Sequence, residues 1–205
     1  MLRTRTGFSG FSLTELMVTV AIVAILMSLA APSFSTWIQN SRIRTTAESI
    51  QNGLQLARVE ALKRNAAVEF VLTSLAAAGT DADWVVRCVV AADDSDGDGV
   101  ADCPGVSVSP APAVSPDAIS QRPSAEGSRG IAVAAGASTF IFSGTGRVTP
   151  APVVVIAIDI SNPSGGNCVA ASGPMRCLRV TVSPGGQVRM CDPSIPLSSP
   201  DPRRC

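Results

Sequence analysis

The residues best placed to do chemistry in this chain fall into four groups: a lone carboxylate, Glu15, inside an apolar run; an aspartate-rich segment from Asp93 to Asp102; six cysteines; and a cluster of arginines near the carboxyl end. Histidine is absent. That removes serine or cysteine triads with an imidazole base, the common zinc sites and any imidazole acid or base. No other set of nucleophile, acid and base stands out, so the chain is read as a non-enzyme.

The aspartate segment, Asp93-Asp94-Ser95-Asp96-Gly97-Asp98-Gly99-Val100-Ala101-Asp102, is bracketed by Cys88 and Cys103. Carboxylates at alternate positions, with glycine for a sharp turn, suit a hard cation such as Ca2+ that takes several converging oxygens. Asp94, Asp96, Asp98 and Gly99 fit the EF-hand pattern, but its closing glutamate would fall on Gly105. Asp102 could close a shorter loop. The same run reads equally as an acidic hairpin tip kept soluble by its charges, and both readings stand. No other cofactor is expected.

The cysteines are even in number, lie beyond the apolar run and form no CxxC pair, which points to disulfides in an oxidising compartment such as the periplasm. Six cysteines allow 15 pairings. Local pairing is expected: Cys88 with Cys103 around the acidic segment, Cys168 with Cys177 across a hairpin, and Cys191 with Cys205 at the tail.

Sixteen basic residues balance sixteen acidic ones; without Arg3 and Arg5 the count becomes 14 against 16. Such a balance argues against a protein whose whole surface binds nucleic acid but leaves room for a local basic patch. From Met175 to Cys205, Arg176, Arg179, Arg189, Arg203 and Arg204 outnumber Asp192 and Asp201. Sharing one face, Arg179, Arg189, Arg203 and Arg204 could neutralise a few phosphates; arginines on a solvated sheet edge also serve solubility alone.

The elements that position these groups begin with the apolar run. From Phe11 to Ala31 every residue is apolar or small except Glu15, at 46% hydrophobic and 16% charged residues overall. As a helix the run spans roughly 31 Å, about one bilayer core. Arg3 and Arg5 precede it, so the positive-inside rule puts the start of the chain in the cytoplasm and the bulk outside the inner membrane. A secretory signal peptide also has a basic start and an apolar run, but its cleavage site follows that run. Here Gly10 precedes it. A carboxylate inside a membrane helix costs about 2.5–3.5 kcal/mol near the centre and less near an end; Glu15 either snorkels to the interface or pairs with a cation on a neighbouring helix.

Beyond the run the helix is expected to continue, because Ile43, Ala47, Ile50, Leu54, Ala57 and Ala61 recur at steps of four and three while charged residues lie off that stripe. Pro32 removes one hydrogen bond and is expected to kink it. After Asn65 the pattern changes to short runs rich in Val, Ile and Phe between Gly, Pro and Ser clusters. Strands are predicted at Ala67 to Thr73, Trp84 to Val90, Ser138 to Phe142, Val153 to Asp159, Leu178 to Ser183 and Gln187 to Cys191. Val108 to Arg129 reads as an extended loop. The predicted fold class is α+β, one long helix laid on an antiparallel sheet. The divisions are residues 1–10, a leader; 11–32, the membrane half of the helix; 33–65, its amphipathic half; and 66–205, a β-rich outward domain.

Gly10-Phe11-Ser12-Leu13-Thr14-Glu15-Leu16, followed by the apolar helix and Pro32, resembles the amino terminus of type IV prepilins and pseudopilins. Phe142-Ser143-Gly144-Thr145-Gly146-Arg147-Val148, then Cys177-Leu178-Arg179-Val180 and Gly185-Gly186-Gln187-Val188-Arg189-Met190-Cys191, is similar to the GspH/FimT branch of that family. The resemblance implies a type IV pilin-like fold. It also implies cleavage between Gly10 and Phe11 by a prepilin peptidase, N-methylation of Phe11, and a subunit-assembly role for Glu15 and Pro32, with Glu15 pairing to a neighbour's terminal amine. Its partners would be other pilins or pseudopilins in a helical filament. DNA-receptor members of the branch contact DNA through Gly-Arg-x-Arg; here Gln187 takes the place of the first arginine and Arg189 keeps the second. Two functions follow as expectations: a structural minor pilin or secretion pseudopilin, and a DNA-binding pilus subunit.

Overall fold

The computed structural model describes residues 11–73, 82–89, 118–126 and 129–205, with the side chains of residues 29–32 and 124 set aside. A single helix, α1 (Leu13–Arg64), opens it. The chain divides into two compact units, one ending at Trp37 and the other running from Ile38 to Cys205. The Ser12 hydroxyl accepts the Glu15 backbone N–H at 3.2 Å, so Ser12 caps α1 and an acidic residue follows three positions later, the capping-box pattern. No single unbroken helix among the described residues is long and apolar enough to cross a membrane; the two segments of α1, Leu13–Ser28 and Ser33–Arg64, bent by 46° to one another, reach that length and composition only as a pair. The Pro32 side chain lies outside the described residues, and the bend falls in the interval that contains it.

In the second unit the predicted stripe is the buried face of α1: Ile43, Ala47, Ile50, Leu54, Ala57 and Ala61 are all fully buried. They meet two antiparallel sheets. The first contains β1 (Val68–Leu72), β2 (Trp84–Cys88), β3 (Ala118–Arg122), β5 (Thr139–Phe142) and β6 (Val148–Thr149) in the order β3-β2-β1-β5-β6. The second contains β4 (Ala132–Ala135), β7 (Ile156–Ser161), β8 (Leu178–Val182) and β9 (Val188–Cys191) in the order β4-β7-β8-β9. Phe70, Phe140 and Phe142 from the first sheet and Ile158, Ile160, Val180 and Val182 from the second join the helix stripe in one core. Each large side chain so buried contributes about 1.5–3 kcal/mol.

Small residues set how closely the helix approaches. A Cβ on Gly53 would stand 2.7 Å from the Phe70 ring, so glycine there lets β1 lie directly against α1. Polar ties fix the helix along its length. Asn40 Oδ1 accepts the Arg176 N–H at 2.8 Å, Trp84 Nε1 donates to Ser49 Oγ at 2.9 Å in the core, and Arg58 Nε donates to the Gly146 carbonyl at 3.1 Å.

The α+β class and the helix-on-sheet arrangement are as expected, with the single sheet resolved into two. Three strands were not anticipated. β3 falls inside the segment read as a loop, β4 is built largely of alanine, and β6 is two residues long. The strand expected to start at Val153 starts at Ile156 instead. Its partner β8 ends at Val182, opposite Ile156, so Val153, Val154 and Val155 have no strand to pair with and stand exposed.

Candidate functional site

The amino-terminal site contains Phe11 and Glu15; Gly10 lies outside the described residues. Phe11 is 85% exposed, and Glu15 sits exposed in the first turn of α1, where a negative charge complements the helix dipole. From Phe11 to Ser28 the side chains are exposed. The helix therefore presents an apolar surface with one carboxylate near its start.

The carboxyl-terminal arginines are positioned by β8 and β9. Arg179 stands opposite Cys191 and Thr181 opposite Arg189, and strand alternation puts these on the face away from buried Val180 and Val182. The structure thus brings Arg179 and Arg189 onto one outward face, as diagonal cross-strand neighbours. On that face Asp159 of β7, directly opposite Arg179, accepts from it twice, at 2.7 Å from Nε and 3.1 Å from Nη2. The hydrogen bond to Asp159, outweighing partial burial, holds the Arg179 pKa above its ordinary value.

The tail brings the other two arginines beside β9. Asp192 N–H donates to the Arg203 carbonyl at 2.7 Å, Asp192 and Arg204 form a parallel bridge, and Arg189 Nη2 donates to the Pro202 carbonyl at 3.2 Å. Arg203 grips Asp201 at 2.7 and 3.1 Å, and Arg204 Nη1 donates to the Leu197 carbonyl. Every arginine of the expected basic cluster is thus hydrogen-bonded within the chain, while Arg189, Arg203 and Arg204 stay exposed to solvent.

Sequence reasoning missed the carboxylates that organise this face. Asp192 is buried, accepts from Ser194 N–H at 2.9 Å and Arg176 Nη2 at 3.3 Å, and so fixes the turn into the tail. Its signal was an aspartate two residues before a serine at a strand end, an Asx-turn pattern. Asp159 carried no signal of its own, because its partner is set by strand register.

Disulfides join Cys168 to Cys177 and Cys191 to Cys205, with Cα separations of 5.4 and 5.1 Å, well inside the usual bridging range. Cys88 is also disulfide-bonded; Cys103, its expected partner, lies outside the described residues. So do Asp94, Asp96, Asp98 and Asp102, the candidate calcium ligands.

Two family profiles match the sequence. That of the type II transport protein GspH family covers residues 46–186, and that of the prokaryotic N-terminal methylation motif covers residues 5–31. Among solved structures, the chain is similar to the type IV minor pilin FimU of Pseudomonas aeruginosa strain PAO1 in two crystal forms. In space group P21 the TM-score is 0.50 at 14% identity, over 80% of this chain and 98% of that one. In space group P65 it is 0.47 at 14% identity, over 76% and 98%. The minor pseudopilin EpsH of the type 2 secretion system of Vibrio cholerae gives a TM-score of 0.46 at 14% identity, over 75% and 99%. Curated protein sequences give no match. At these identities the likeness shows the fold alone.

Proposed function

This chain belongs to the type II transport protein GspH family, and on that premise we propose that it is a non-catalytic minor pilin or pseudopilin subunit, built into a type IV pilus or a type II secretion pseudopilus. The observation that carries this reading is the meeting of two profiles on one helix. The methylation motif ends at residue 31 and the GspH region begins at residue 46, and α1 runs through both. In this reading a prepilin peptidase cuts between Gly10 and Phe11, Phe11 is N-methylated, and the segment from Phe11 to Pro32 holds the subunit in the inner membrane with residues 66–205 in the periplasm. Glu15, exposed near the start of an apolar surface, supplies a carboxylate for a neighbouring subunit's amine, a pairing that offsets its desolvation. The disulfides suit an oxidising periplasm.

The test is Glu15→Ala in cells that assemble the filament. The variant should remain in the membrane fraction while its share in sheared filaments falls severalfold; unchanged incorporation would return Glu15 to a capping and snorkelling role.

A second reading, DNA binding in uptake, draws support from the shared face of Arg179 and Arg189. Phosphate contacts of this kind weaken steeply with salt. Arg179 is already committed to Asp159 and Gln187 replaces an expected arginine, so binding should be weak or absent in a gel shift at low salt, and Gln187→Arg should strengthen it. A salt-insensitive signal, or no signal even for Gln187→Arg, would remove this reading.

A further inference from the structure

The described aromatic residues sort into two classes. Phe70, Phe140, Phe142 and Trp84 are buried in the core. Phe11, Phe34 and Trp37 are 85%, 61% and 64% exposed, and they flank the apolar run, one at its start and two just past its end. Phe34 and Trp37 are one helical turn apart with ring centroids 5.9 Å apart in a stacked arrangement. Their neighbours Ser33, Ser35, Thr36, Gln39 and Asn40 are polar, and Ile38 is the one apolar residue among them. Two large rings thus stand exposed side by side in a mainly polar stretch just past the apolar run.

We propose that Phe34 and Trp37 form an interfacial anchor, seated in the outer headgroup region of the lipid bilayer and fixing how far α1 emerges from it. This rests on the membrane-anchored reading above. Spacing supports a lipid occupant. Along the helix contour at the standard rise Trp37 lies about 39 Å from Phe11 and Phe34 about 35 Å, and the 46° bend before Ser33 shortens this by only about 3 Å, against a bilayer of about 30 Å of hydrocarbon and 40–45 Å with its headgroups. With Phe11 at one face, the opposite interface falls on Phe34 and Trp37. Amphipathic ring systems collect at that depth, where a flat apolar body meets a wet boundary and the indole N–H finds a polar partner. The next charged residues in the sequence, Arg42 and Arg44, suit the water beyond the headgroups.

The full chain reconstituted into phospholipid vesicles tests this, with flotation reporting membrane association and Trp37→Phe serving as the blank for Trp84, which is buried. Lipids brominated near the glycerol end of the acyl chain should quench Trp37 fluorescence more strongly than lipids brominated near the chain end, and this difference should be lost in Trp37→Phe. Stronger quenching by the deep bromines would overturn the anchor by placing Trp37 in the hydrocarbon. A floating chain whose Trp37 is quenched only from water overturns it too, and would assign the rings to contact with another subunit. Failure to float would sink the membrane-anchored reading and the anchor with it.

Discussion

Arg203 and Asp201 show what an exposed pair can and cannot do. The Arg203 side chain donates to Asp201 at two points, and the Arg203 backbone N–H adds a third bond at 2.9 Å. The side-chain bond first, then the backbone bond, pull the Asp201 carboxyl from its ordinary 3.8 down to about 2. Its folded value is below its unfolded one, so its support for the tail is present above the unfolded value and is lost as pH falls through about 2. Screening by water keeps that support small. A carboxyl NMR titration of the protein in detergent should find Asp201 titrating near 2, and Arg203→Ala should move it back toward the ordinary value; no movement would mean that another cation holds the carboxylate. The same scale explains why the arginine cluster read from sequence is only partly a free basic patch. Asp159 and Asp192 are far from their arginine partners in sequence, and only strand register and the turn after β9 bring them together.

At the scale of elements, hydrophobic periodicity carried the most information. The stripe from Ile43 to Ala61 could be read because one buried face imposes its spacing on the residues themselves. Strands with strong alternation, such as Val68–Leu72 and Leu178–Val182, were legible for the same reason. β3 and β4 were not, because their sequences, Ala-Ile-Ser-Gln-Arg and Ala-Val-Ala-Ala, carry little intrinsic strand preference and are held by their neighbours' hydrogen bonds. Val153 to Val155 misled in the opposite sense, since β-branched residues form strands only where a partner exists. The glycine turns of the β5–β6 and β8–β9 hairpins, one in each sheet, carry a sharper requirement where they meet. Gly186 has φ +78°, and a Cβ there would stand 2.0 Å from the Gly146 carbonyl oxygen. Gly186→Ala should therefore cost upwards of about 1–2 kcal/mol from the left-handed backbone alone, and more from the clash. Leu54→Ala, which empties a fully buried position, should cost about 2–5 kcal/mol. Urea unfolding of the protein in detergent would measure both, and a Gly186→Ala loss no larger than that of an exposed substitution would show that the two turns do not need to meet so closely.

For the whole molecule, the division of labour follows from where apolar surface is left uncovered. Residues 38–205 bury a core of their own and close two described disulfide loops, whereas the helix from Phe11 to Ser28 holds its apolar side chains exposed. That contrast, read with the methylation motif at residues 5–31, supports the proposed subunit, whose helix would be held first by lipid and then by other subunits. Everything in that account depends on maturation at one bond. Mass spectrometry of the amino-terminal peptide, from protein purified out of the membranes of its native host, measures this directly. The expected peptide starts at N-methylated Phe11, with the chain left unprocessed when Gly10→Val is introduced; an intact leader in the unaltered protein, or a terminus near Ala31, would overturn the proposed maturation.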